Sequence, residues 1–122
     1  MNQPLPTIDS VFGIFFAKHI EGATGVKRQR ILQIEILLRE YLAGLPDNFF
    51  TTPELAILRS EREFNPEGAI GRVMNAEALL YALQKFVEPP HLQTPELLQR
   101  EQLRLVGNLA NYLVSAPLRA DD

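Results

Sequence analysis

The sequence predicts an all-α protein, a compact bundle of about five helices. Three observations support this class: apolar residues recur at three- and four-residue steps, Thr-Pro-Glu and Asn-Pro-Glu triplets are typical of helix starts, and glycine or proline follows most apolar segments. Hydrophobic residues make up 46% of the 122 residues and charged residues 22%, as in an average globular protein. We therefore expect one helical domain over residues 1–122. The predicted helices are 10–21, 26–43, 53–63, 67–87 and 95–115.

The two ends of the chain are predicted to lie outside the bundle. Pro4 and Pro6 favour an extended arm over residues 1–7, because proline disfavours helix both in its own place and in the residue before it. Pro117 ends the last helix, so residues 117–122 are expected to form a frayed tail.

The first segment permits two interpretations. Asp9 or Ser10 is suited to cap a helix that ends at Gly22. The intervening residues are apolar all round, and their Val, Ile and Phe content also favours a strand. The cap and the terminal glycine favour the helix, which would then have to be enclosed on nearly all sides.

The most regular helix runs from Lys27 to Ala43 and is predicted to be central. Leu32 and Ile36 lie four residues apart and form a second apolar patch, about a third of a turn away from the main stripe. Such a helix either packs between neighbours on two sides or contacts another chain. The main stripe consists of Ile31, Ile34, Leu37, Leu38, Tyr41 and Leu42.

Three later helices are predicted from their starts. Thr52 serves as the N-cap of the third helix and Pro53 as its first residue. Asn65-Pro66-Glu67 opens a long helix that reaches Val87, and Thr94-Pro95-Glu96 opens the last one.

The predicted helix 67–87 also carries a second apolar row. Ile70, Met74 and Tyr81 share this row, with Glu77 between the last two. A carboxylate there lies either at the edge of an interface or in an ion pair inside the core.

Composition excludes several classes of protein. The chain has no cysteine, which rules out disulfides and thiolate chemistry, and its net charge of −3 disfavours a general nucleic-acid coat. No apolar run approaches the length of about 18 residues that a membrane span needs, and no secretory signal is visible. We expect a cytoplasmic protein without membrane contact.

No catalytic, cofactor or metal motif is present. The two histidines fit ordinary roles: His19 suits the end of the first helix, and His91 lies in a proline-rich connector. Neither G-x-S-x-G nor H-E-x-x-H occurs. We expect no cofactor, no metal and no enzymatic activity. Glu77 is the one polar candidate for a ligand or catalytic site inside the core.

A basic turn precedes the central helix and is the candidate anion site. Its glycine turn leads into a helix N-terminus, which offers free N–H groups, and three cations follow there against the preference of the helix dipole. A bound phosphate would offset them; alternatively, carboxylates such as Glu21 or Glu35 neutralise a solvated turn. The glycine spacing does not match a P-loop. The candidate residues are Thr24, Gly25, Lys27, Arg28 and Arg30.

Two functions follow from these observations. The first is a protein–protein interaction or structural module, most simply a homodimer, because the predicted helices present more apolar surface than one small bundle needs. The second is a nucleic-acid-binding regulator that contacts phosphates through Lys27, Arg28 and Arg30. The interaction residues predicted for the first function are Leu32, Ile36, Ile70, Met74 and Tyr81.

Overall fold

The computed structural model describes residues 6–115, which form a helical bundle and contain no strand. The predicted fold class is therefore confirmed. A short 3-10 helix, Asp47–Phe49, follows the second α-helix. Residues 1–5 of the predicted arm and the predicted tail at 117–122 fall outside the described residues. The α-helices are α1 Ile8–Glu21, α2 Gly25–Ala43, α3 Thr52–Phe64, α4 Ala69–Val73, α5 Ala76–Phe86 and α6 Glu96–Ser115.

The first segment is the helix α1, so the strand alternative is wrong. Its N-cap is Thr7, whose side chain accepts a hydrogen bond from the Ser10 N–H at 3.2 Å. The caps expected at Asp9 or Ser10 therefore lie inside the helix, because Thr7 takes this role one turn earlier. Enclosure is also less complete than expected, since the Ile14 side chain remains 59% exposed.

Helix α2 is central, as predicted. It contacts α1, α4, α5 and α6, and one side of it is buried through Ile31, Ile34, Leu38 and Leu42. With 19 residues it is about 28 Å long. Four of the other helices thus pack against one side of α2, while α3 packs against α4.

The predicted helix 67–87 is wrong, because the structure divides it into α4 and α5. Met74 has an extended backbone with ψ 150°, and Asn75 caps α5 by accepting hydrogen bonds from the N–H groups of Glu77 and Ala78. The segment before α1 occupies the gap: the Ile8 N–H donates to the Met74 carbonyl at 2.9 Å, and the Ala76 N–H donates to the Pro6 carbonyl at 3.1 Å. These tertiary bonds replace the helical ones.

Two predicted helix starts are displaced for local reasons. The N-cap of α3 is Thr51 and not Thr52, because Thr51 and Glu54 form a reciprocal capping box. Helix α4 begins at Ala69, two residues later than expected, after Gly68 in the left-handed region at φ +70°. A residue other than glycine would be strained at this φ.

A buried glutamine holds the connector between α5 and α6. Gln102 is fully buried on α6, and its Oε1 accepts a hydrogen bond from the Gln93 N–H at 2.8 Å. Its Nε2 donates to the carbonyls of Phe86 and His91 at 3.0 and 3.2 Å. One side chain therefore satisfies backbone groups at the start, middle and end of the connector.

Tyr41 joins α2 to the same region. Its hydroxyl donates to the Ala82 carbonyl at 2.9 Å, and its ring packs against those of Phe86 and His91. Burial raises the pKa of Tyr41 above its ordinary value of 10.0, and the negative charge of Glu88 adds to the effect. The neutral hydroxyl is therefore the form that the fold stabilises.

Replacing Gln102 with Leu is expected to lower the free energy of unfolding by about 1–3 kcal/mol, because the Gln93 N–H is left without a partner. Urea denaturation followed by circular dichroism measures this loss. The control is Gln84→Leu on the exposed side of α5, which should leave stability nearly unchanged. Equal midpoints for the two variants would contradict the role of Gln102.

Tyr41 should also make stability depend on alkaline pH. Above the ordinary pKa of 10.0 and below the raised folded-state pKa, the folded chain binds more protons than the unfolded chain. Its stability therefore falls as the pH rises through this window. Tyr41→Phe should reduce the slope in denaturation experiments between about pH 9 and about pH 11. An unchanged slope would show that Tyr41 does not carry the effect.

Candidate interaction surface

Leu32 and Ile36 lie one turn apart on the outward side of α2, where no described element covers them. The Leu32 side chain is 38% exposed and the Ile36 side chain 57%. The second patch predicted for this helix therefore exists and is open to solvent. Packing between neighbours on two sides, the alternative left open by the sequence, does not occur at this position.

The other predicted interaction residues do not join this surface. Ile70 and Met74 are 4% and 3% exposed, so their expected place on the surface is wrong. The break before Asn75 separates both residues from the helical face that carries Tyr81, and their side chains pack into the core. Tyr81 is 64% exposed, but it lies on α5 beside Phe49 and the first turn of α3.

Glu77 is exposed in the first turn of α5 and forms no ion pair with a residue between 6 and 115. A negative charge there interacts favourably with the helix dipole. The hypothesis of a paired carboxylate inside the core is wrong, because the side chain is at the surface.

A charged residue flanks the Leu32–Ile36 pair at each end. Arg28 lies four residues before Leu32 and Glu40 four residues after Ile36, and both are exposed. Neither forms an ion pair within the described part of the chain. Each charge also has the sign that its own helix end disfavours, since α2 has no acidic residue in its first turn and no basic residue in its last.

Sequence reasoning missed Glu40. The available signal was its sign, because a carboxylate in the last turn of a helix opposes the dipole. Glu40 is in this respect the counterpart of the cations in the first turn of the same helix.

A group of contacts centred on Arg39 borders this surface on the side of α1. The Arg39 guanidinium lies 3.0 Å from a Glu35 carboxylate oxygen and 3.4 Å from one of Asp9, and it is 4.9 Å from the centroid of the Phe12 ring. These contacts fix α1 alongside α2. They also engage Glu35, which is therefore not the partner of the basic turn that the sequence suggested.

The small residues Gly13 and Ala17 follow Asp9 at four-residue steps along α1, and both are exposed. They therefore continue along α1 the row that begins with Asp9, the residue that contacts Arg39 of α2. A Cβ built on Gly13 would meet no atom within 4 Å. No large side chain of this stripe projects over Leu32 and Ile36.

The predicted anion site is a helix N-terminus with its cations spread apart. Gly25 begins α2 at φ +58°, and the Thr24 side chain makes no capping hydrogen bond. Lys27 and Arg28 are exposed, whereas Arg30 is half-buried in a groove against the start of α6. Arg28 and Arg30 point about 160° apart around the helix. The structure therefore does not bring the three cations together on one surface.

Neither histidine occupies a reactive setting. The His19 Nδ1 lies 2.9 Å from the Phe15 carbonyl and its ring stacks on Phe15, while the His91 ring packs against Tyr41. Within residues 6–115, no group of three His, Asp or Glu side chains is placed to hold a metal ion. In the same range, every buried side-chain polar atom has a hydrogen-bond partner.

None of the helices in the described range combines the length and apolar character needed to cross a membrane. Comparisons of the chain with protein-family models, with curated proteins and with solved structures find no match.

Proposed function

We propose that this chain is a small helical interaction module that binds a second copy of itself through the outward side of α2. The observation that carries the proposal is the exposed pair Leu32 and Ile36 in the middle of the central helix. Burying a half-exposed aliphatic side chain contributes about 1 kcal/mol. A symmetric contact buries the pair from both copies and so doubles this contribution.

This pair differs from the other exposed apolar residues of residues 6–115. Single apolar side chains at a protein surface are ordinary, whereas contiguous ones mark contacts. Leu32 and Ile36 are the one pair of large apolar side chains in that range that are both exposed and one helical turn apart. The exposed apolar side chains elsewhere are Ile14, Val26, Ile57, Phe64, Tyr81, Leu97, Leu103 and Val114.

The proposal has two further parts. Tyr81 is a candidate for a secondary contact, because it is exposed on α5 at the edge of a groove. The absence of cysteine suits a reducing compartment, and we place the homodimer in the cytoplasm on this basis.

A nucleic-acid-binding regulator is the second candidate function. One observation favours it: Lys27, Arg28 and Arg30 form no ion pair within residues 6–115, whereas most other cations of that range do. The net charge of −3 and the divergence of Arg28 and Arg30 weigh against it. The paired cations are Arg39, Arg59, Arg62, Arg72, Lys85, Arg100 and Arg104.

Ile36→Asp should convert the dimer into a monomer, because it places a charge in the centre of the contact. Light scattering after size exclusion and sedimentation equilibrium measure the mass. Ile57→Asp on α3 is a matched control, since its side chain is 55% exposed compared with 57% for Ile36, and it should remain dimeric. Thermal melting confirms that both variants fold. A wild-type chain that stays monomeric at all concentrations would refute the proposal.

The second candidate predicts salt-dependent binding to labelled duplex DNA or single-stranded RNA, measured by fluorescence anisotropy. The affinity should fall steeply between about 50 and about 200 mM salt, and Lys27→Ala should reduce the salt slope by about one unit. Lys85→Ala, at an exposed cation on another helix, is the control. The absence of measurable binding at low salt would exclude this function.

A further inference from the structure

We infer that the second copy packs antiparallel on α2, with Leu32 of each copy against Ile36 of the other and Arg28 of each against Glu40 of the other. This inference rests on the proposed self-association and specifies its geometry. It requires a two-fold axis that crosses α2 at the level of residue 34. The contact is isologous, meaning that both copies use the same surface.

The four residues of this contact lie in a single row on α2. Arg28, Leu32, Ile36 and Glu40 follow one another at four-residue steps and are all exposed. Such a row forms a ridge on the helix surface. The commonest class of helix packing aligns the four-residue ridges of two helices at a crossing angle of about −50°. The row on α2 is therefore a complete ridge that is available for this packing.

The row is complementary to a second copy of itself that runs in the opposite direction. Leu32 and Ile36 are equally far from position 34, and so are Arg28 and Glu40. In the antiparallel contact, the apolar pairs meet in the centre and opposite charges meet at both ends. A parallel contact would instead place Arg28 against Arg28 and Glu40 against Glu40, which is unfavourable at both ends.

The helix dipole also favours the antiparallel arrangement. In one copy alone, Arg28 lies near the positive end of α2 and Glu40 near the negative end, so each charge is unfavourably placed. An antiparallel neighbour brings the C-terminal end of its own α2 beside Arg28 and its N-terminal end beside Glu40. Both unfavourable placements within the chain become favourable between chains.

The surroundings of the ridge leave room for a second helix. On the neighbouring helix α1, Gly13 and Ala17 follow Asp9 at four-residue steps and are small and exposed. Arg39 borders the ridge on the same side, but its charge is already paired with Glu35 and Asp9.

The orientation can be tested by cross-linking, because the chain has no cysteine of its own. An oxidised mixture of Leu32→Cys and Ile36→Cys chains, one carrying a mass tag, should form mainly disulfides between the two variants. A parallel dimer would bring each cysteine closest to its own counterpart. If the disulfides form mainly between two chains of the same variant, the inference is wrong.

The decisive experiment is a charge exchange measured by sedimentation equilibrium. Arg28→Glu and Glu40→Arg should each weaken self-association by about 10- to 100-fold, because like charges then meet at both ends. An equal mixture of the two variants should form heterodimers with wild-type affinity, and the double variant should dimerise as the wild type does. The losses should also shrink at high salt.

Two controls separate the geometry from the fold and from self-association itself. Each charge reversal corrects a charge that opposes the helix dipole, so thermal melting at concentrations where the chain is monomeric should show no loss of stability. Lys27→Glu changes the same amount of charge one residue away from the ridge and should dimerise normally. If the wild type dimerises but the mixture does not recover, the antiparallel geometry is wrong while the proposed function stands. A monomeric wild type would overturn both.

Discussion

The structure depends on one constraint, which is that a single helix supplies the common packing surface of the bundle. Helix α2 contacts α1, α4, α5 and α6 through one side only. Of the six α-helices within residues 6–115, α2 with 19 residues and α6 with 20 are the longest. Burying the stripe of α2 brings the described helices together, and none of the elements within residues 6–115 covers its opposite side.

The polar interactions of the core act mainly on connections and not on helices. Gln102 satisfies three backbone groups of the α5–α6 connector, and Asn75 caps α5 where the chain turns out of α4. Tyr41 adds one more bond between α2 and α5. Helices satisfy their own backbone groups, so buried polar side chains are needed where the helical pattern stops.

Much of the fold could be predicted because helical periodicity and capping are local. The stripe on α2 and the separate angle of Leu32 and Ile36 follow from residue spacing alone. The break at Asn75 could not be predicted, since asparagine is tolerated within a helix and its capping role depends on Pro6 and Ile8, which are distant in sequence. The same error misplaced Ile70 and Met74, whose direction depends on where the helices begin.

The backbone pairing of Pro6 and Ile8 with Met74 and Ala76 ties the beginning of the described chain to the elbow between α4 and α5. The position of that elbow sets the angular phase of α5, and therefore the direction in which Tyr81 points. Proteolysis near Thr7, or a fusion partner joined there, would therefore first change the elbow between α4 and α5 and the orientation of Tyr81. The exposed side of α2 would be unaffected.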